Sequence, residues 1–257
     1  MNRFIAGAGV ALLFVCAQTA SLARPETQRL YLSGYGKDDA VPWKFFCTTG
    51  ALSGFWTNIP VPSNWELHGF GNLNYKKDST DALTERGLYE RDFVAPKNWS
   101  GQRIFLVFEG AMTDTSAKLN GQSVGLLHQG GFYRFKYEVT KLVKFGATNK
   151  LEVAVAKHSA NESVNKAERL ADYWVFGGIY RPVYLEVVPQ QFIERVAIDG
   201  RADGNFSADV FLSGATDTDE VEAQIQSLDG KNVGKPFRAK ISAPSQISNR
   251  FAETLDR

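Results

Sequence analysis

Residues 117–124 read Ala-Lys-Leu-Asn-Gly-Gln-Ser-Val, and the Asn120-Gly121 pair at their centre marks a β-hairpin. Both central positions of a tight two-residue turn need φ > 0, which Asn and Gly tolerate. Ala117 to Asn120 therefore reads as an incoming strand and Ser123 to Leu127 as its return. Upstream, Ile104 to Phe108 is a solid apolar run, suited to a strand buried on both faces. Downstream, Tyr133, Phe135, Tyr137 and Val139 alternate with Arg134, Lys136 and Glu138, the pattern of a half-buried strand. Leu151, Val153 and Val155 form another, and Val183, Leu185 and Val187 a third that starts after Pro182. Only Thr140 to Phe145 reads as a short helical turn. Strands at this spacing, without long helical periodicity, indicate an all-β sandwich. Its expected core includes Phe105, Val107, Leu119, Phe135, Tyr137, Leu151, Val153, Val183 and Leu185.

Residues 157–178 have no period of two. They read as a long polar connection that carries Asp172, Tyr173 and Trp174 into Gly177-Gly178. Long ordered loops on a β scaffold are where binding residues concentrate. After Pro189 the composition shifts. Residues 199–204 read as a turn, 206–211 and 221–228 as strands, and Asp229-Gly230 as a further turn, so a second β unit begins here. From Gln246 onward no strand is evident.

The composition is 44% hydrophobic and 12% aromatic over 257 residues, ordinary for a globular chain and too apolar for disorder. With 29 basic and 28 acidic residues there is no field to hold nucleic acid or an anionic membrane. His68, His128 and His158 lie far apart, and Cys16 and Cys47 are the two cysteines. Neither set makes a metal-binding or disulfide framework. Residues 1–23 read as a signal peptide: Arg3, an apolar run from Phe4 to Ala17, then Ser21 and Ala23 at an exit of small residues. The run is short for a bilayer span. The mature chain is thus expected to be exported, periplasmic or secreted, free of the membrane, with Cys47 as a small buried hydrophobe.

Five ordered segments resemble the N-terminal part of glycoside hydrolase family 2, the β-galactosidase type. They are WTNIPVPSNWELHGFG (56–71, with Pro60, Pro62, Trp65 and Gly69), GLYERDFVAP (87–96), FEGAMTDTSAKLNGQSVGLLHQGGFYRFKYEVTKLV (108–143), NKLEVAVAKHS (149–159) and DYWVFGGIYRPVYLEVVP (172–189). The resemblance implies a galactose-binding-like jelly roll over residues 24–190, followed by a partial immunoglobulin-like sandwich over 191–257. In the family both catalytic glutamates lie on a TIM barrel that comes next. On this reading the chain supplies no catalytic residue, binds no cofactor or metal of its own, and is inactive alone. Its partners would be carbohydrate and the missing barrel.

The resemblance also implies site residues. The acid at the position of Asp172 reaches toward the barrel's pocket and touches sugar or a nearby cation, a task suited to a carboxylate that accepts hydrogen bonds from hydroxyls. The alternative is a loop acid that caps a turn or pairs with Arg169 or Arg181. Trp174 would stack on a sugar face or fill the base of the loop. Gly177 and Gly178 permit a tight backbone, and Arg181 would brace the loop through a partly buried ion pair. The family's polar Asn-Pro-type segment is replaced here by Leu83-Thr84-Glu85-Arg86-Gly87-Leu88-Tyr89, which leaves the identity of the sugar open. A free-standing carbohydrate-binding module without catalysis is the alternative function.

Overall fold

The computed structural model describes residues 26–75, 84–170, 172–203, 205–216 and 220–240, together with the backbone of 248–254. The leader segment with Cys16, and Leu83 of the substituted segment, lie outside the described residues. The strands of the first unit are β1 (Gln28–Tyr31), β2 (Val41–Cys47), β3 (Trp56–Val61), β4 (Asn74–Tyr75), β5 (Arg86–Val94) and β6 (Arg103–Phe108). They continue with β7 (Asp114–Leu119), β8 (Gln122–Ser123), β9 (Phe135–Glu138) and β10 (Thr148–Ala156). One helix, α1 (Glu162–Glu168), then precedes β11 (Trp174–Val175) and β12 (Val183–Val188).

Two antiparallel sheets face each other, one ordered β3-β2-β5-β10-β7-β8 and the other β1-β12-β6-β9, giving the expected jelly-roll sandwich. The central hairpin forms as the Asn-Gly pair requires: Leu119 pairs with Gln122, and Asn120 and Gly121 take φ of 54° and 82°. Its return strand is only two residues long. Period-two alternation sends Leu151, Val153 and Val155 of β10 inward, where they meet Leu119, Val183 and Leu185. Leu151 is fully buried, so Leu151→Ala is expected to cost about 2 to 5 kcal/mol, read as a shift of the urea midpoint at unchanged slope.

Phe105 and Val107 are buried but not in this core. Strand β6 places Ile104, Leu106 and Phe108 between the sheets, so its odd positions face the other way. There Phe105 and Val107 pack with Tyr184 and Val188, under Tyr31 and Phe192. Phe135 and Tyr137 are only half-buried, at the core's margin. The helix α1 also departs from the sequence reading, which placed no helix in 157–178. Asn161 caps it by accepting from the Ser163 N–H at 3.0 Å, and Glu162 pairs with Lys166 one turn on at 2.8 Å.

The second unit comprises β13 (Phe192–Gly200), β14 (Asn205–Ser213), β15 (Glu220–Gln226), β16 (Asn232–Lys240) and β17 (Ser248–Thr254). The last of these, unexpected from its sequence, pairs with β14 in the sheet β13-β14-β17, while β15 and β16 form a hairpin of their own. Among the described residues, Ala208, Val210 and Val221 are buried in its core, with Phe206, Leu212, Phe237 and Ala239 around them.

Candidate functional site

The long connection after β10 returns to the sandwich through β11, which pairs with β4 in a two-residue ladder: Trp174 opposite Tyr75, Val175 opposite Asn74. Val175 is buried, and period two therefore turns Trp174 outward. Tyr75 and Trp174 stand side by side with ring centroids 5.2 Å apart at 60°, and they are 51% and 47% exposed. Two large aromatics half out of water on neighbouring strands form a surface rather than a core. The Tyr75 hydroxyl donates to Asp172 Oδ1, and this acceptor raises the phenol's pKa. Asp172 itself is exposed. One carboxylate, two aromatic faces and a phenol thus converge at one rim of the sandwich, a set that suits a polyhydroxylated ring.

Among the described residues Asp172 accepts from Tyr75. Arg169 is buried, with Nη1 3.7 Å from Met112 Sδ, and among the described residues its Nε and Nη2 have no hydrogen-bond partner. Burial lowers its pKa. Arg181 is exposed and lies over the ring of Tyr180, 5.1 Å from its centroid. Among the described residues it makes no ion pair, so the bracing ion pair expected of it is not found there.

The brace lies beneath the rim instead, in side chains that the sequence reading did not single out. Lys157 is fully buried, and its Nζ meets Glu66 Oε1 at 2.8 Å, Glu85 Oε1 at 3.2 Å, Asn74 Oδ1 at 3.2 Å and the Asn72 carbonyl. Glu85 also accepts from Trp65 Nε1 at 2.7 Å and from the N–H and side chain of Asn72. Glu66 accepts the Gly177 N–H at 3.0 Å. One ammonium thereby ties the segment leading into β4 to the residue just before β5 and, through Glu66, to the turn after β11. Burial raises the pKa of Glu66, and Lys157 works against that rise.

Gly177 and Gly178 permit this approach. A Cβ on Gly177 would lie 2.1 Å from Trp65 Cζ2, and Gly178 has φ of 122° with the Ser63 carbonyl 2.6 Å from its would-be Cβ. Cys47 is buried in the sandwich, its thiol pushed up to about 11 by burial, as befits a packing residue. Among the described residues no three His, Cys, Asp or Glu gather into a metal-binding group. Asp172 and Tyr75 alone offer fewer oxygens than a hard cation takes, so these residues do not by themselves make a metal site.

Residues 44–189 match the family model for glycosyl hydrolases family 2, sugar binding domain. A β-galactosidase of Thermoanaerobacter pseudethanolicus is 30% identical over 108 residues, 42% of this chain and 14% of that protein. A β-glucuronidase of Bacteroides fragilis is 26% identical over 197 residues, 76% of this chain and 23% of that protein. The solved β-glucuronidase of Faecalibacterium prausnitzii superposes with a TM-score of 0.61 at 25% identity, covering 90% of this chain and 42% of that one. The chain thus spans less than a quarter of the length of these two curated relatives.

Proposed function

Because the chain belongs to glycosyl hydrolase family 2 through its sugar binding domain, we propose that it acts as the non-catalytic N-terminal part of an exported, β-galactosidase-like glycosidase. It supplies a scaffold and a sugar-contacting rim. The observation that carries this reading is the exposed Tyr75–Trp174 pair with Asp172 bonded beside it. The ligand class is a terminal β-linked pyranose, in keeping with relatives that bear the names β-galactosidase and β-glucuronidase. One ring face packs on Trp174, and Asp172 accepts from hydroxyls. Export is part of the proposal and rests on residues 1–23.

The chemistry of the described carboxylates supports a binding rather than a hydrolytic role. A retaining glycosidase needs two carboxyls about 5 to 5.5 Å apart on either side of the scissile bond. Glu66 and Glu85 do converge, but both are sealed on Lys157 with side chains 0% exposed. No glycosidic bond reaches them. Purified residues 24–257 are accordingly expected to show no turnover of a panel of nitrophenyl glycosides. Turnover above background that a carboxylate substitution in this chain abolishes would overturn the reading. In a longer family member that carries the catalytic barrel, Asp→Asn at the position matching Asp172 is expected to lower activity and leave the fold intact.

A further inference from the structure

The outward face of the six-stranded sheet is far from uniform. Strand register assembles two rows that run across the strands. In the first, Phe46 pairs with Trp56 and with Leu88, Leu88 with Ala154, and Ala154 with Ser116. In the second, Lys44 pairs with Asn58 and with Glu90, Glu90 with Glu152, Glu152 with Lys118, and Lys118 with Ser123. A row that is apolar from Trp56 to Ala154 and ends on Ser116 therefore lies one step along the strands from a row made wholly of hydrogen-bonding side chains. The two rows line a hollow of ≈ 280 Å³, and a second of ≈ 430 Å³ continues it past Glu90 toward Lys150 and Asp92.

We propose that this face is a second carbohydrate site, a groove that takes an extended, neutral, β-linked oligosaccharide laid across the strands. Trp56 is the stacking platform. It is 48% exposed and backed by Phe46, with ring centroids 5.6 Å apart, so its outer face is fixed and open. The charges on the face choose among ligands. Lys44, Lys118 and Lys150 stand among Glu90, Asp92 and Glu152, and Glu90 already pairs with Lys44 at 3.6 Å and Lys150 at 2.8 Å. Arg91 also lines the second hollow, so four cations are interspersed with three carboxylates; neither a polyanion nor a polycation meets a field of one sign, whereas a polyhydroxylated chain finds donors and acceptors along the whole row. Spacing fits as well. Neighbouring strands lie about 4.8 Å apart, close to the rise of one pyranose in an extended β-linked chain, so each sugar meets roughly one strand. The site rests on the carbohydrate-binding reading of the domain but uses neither Asp172 nor Trp174.

The test is calorimetric titration of residues 24–257 with three neutral probes (cellohexaose, mannohexaose and xylohexaose) and one anionic probe, hexagalacturonate. At least one neutral probe is expected to bind with a Kd on the order of 0.1 to 1 mM. Trp56→Ala, at a half-exposed position on an edge strand, is expected to weaken that binding about tenfold or more at an unchanged urea midpoint. Glu152→Ala is expected to weaken it too, and Trp174→Ala to leave it unchanged. Absence of binding by all three neutral probes, a Trp56→Ala protein that binds as the parent does, or tighter binding of hexagalacturonate overturns the site. Loss through Trp174→Ala instead of Trp56→Ala also overturns it, while supporting the rim. Retention of the groove with a rim that ignores monosaccharides would refute the rim alone.

Discussion

Lys157→Met is expected to destabilise the first sandwich by about 3 to 5 kcal/mol, the cost of removing one partner from a buried ion cluster. The methionine nearly matches the lysine in length, so packing changes little. The loss comes from Glu66 and Glu85, left at 0% side-chain exposure without their cation. All five tryptophans (Trp43, Trp56, Trp65, Trp99 and Trp174) lie in this unit, so urea unfolding followed by tryptophan fluorescence reports on it alone. The deficit also has a pH signature. Burial already raises the folded-state pKa of Glu66 above its ordinary 4.5. The native state thus holds the proton more firmly than the unfolded chain does, and stability falls as pH rises through and beyond that range. Without Lys157 the rise is larger. The variant's deficit should therefore be greatest near neutrality and shrink as pH falls toward the carboxylate range, since a protonated Glu66 needs no cation. A deficit below 1 kcal/mol, or one independent of pH, would show that the cluster does not hold the rim.

Trp65→Ala should cost a similar amount, about 3 to 5 kcal/mol, for a different reason. The ring is fully buried, packs against Phe45 and fills the space left by the missing side chain of Gly177. Removing it opens a cavity between the sheet and the turn after β11, and it also deprives Glu85 of the indole donor at 2.7 Å. Because both residues act on Glu85, the double variant with Lys157→Met should fall short of additivity by roughly 0.5 to 3 kcal/mol. Strict additivity in the same urea titrations would mean that the ring and the ammonium act independently.

The sandwich was legible because its strands carry their phase openly. Leu151, Val153 and Val155 point inward, as their alternation with Lys150, Glu152 and Ala154 requires. The burial of Ile104 to Phe108 on both faces was equally plain, but not which face belongs to which core. That depends on Tyr31 and Phe192, whose approach to β6 no local pattern encodes. The brace was missed, although its signal was present. Position 157 continues the inward series 151, 153, 155, and Glu85 continues Gly87 and Tyr89 backward. The two meet across the sheet, with the Lys157 N–H donating to the Glu85 carbonyl at 3.0 Å. A lysine and a glutamate on inward phases of neighbouring strands need each other, since a buried charge without a partner is far too costly. The helix α1 escaped because seven residues carry no apolar period, although Asn161 and the Glu162–Lys166 pair are ordinary helix signals. Asp172 and Trp174 stand out in the polar connection 157–178, and the family resemblance supplies their role. Their companion Tyr75 does not stand out, because it sits in a two-residue strand that only the pairing with β11 reveals.

The rim is tested most directly by the indole and backbone ¹⁵N signals of residues 24–257 during titration with methyl β-galactoside and methyl β-glucuronide. The Trp174 indole signal and the amides around Tyr75 and Asp172 should move together and saturate at concentrations on the order of millimolar. Asp172→Asn should weaken that response without altering the rest of the spectrum. A Trp174 indole signal that stays fixed in the presence of both sugars would contradict a sugar-contacting rim.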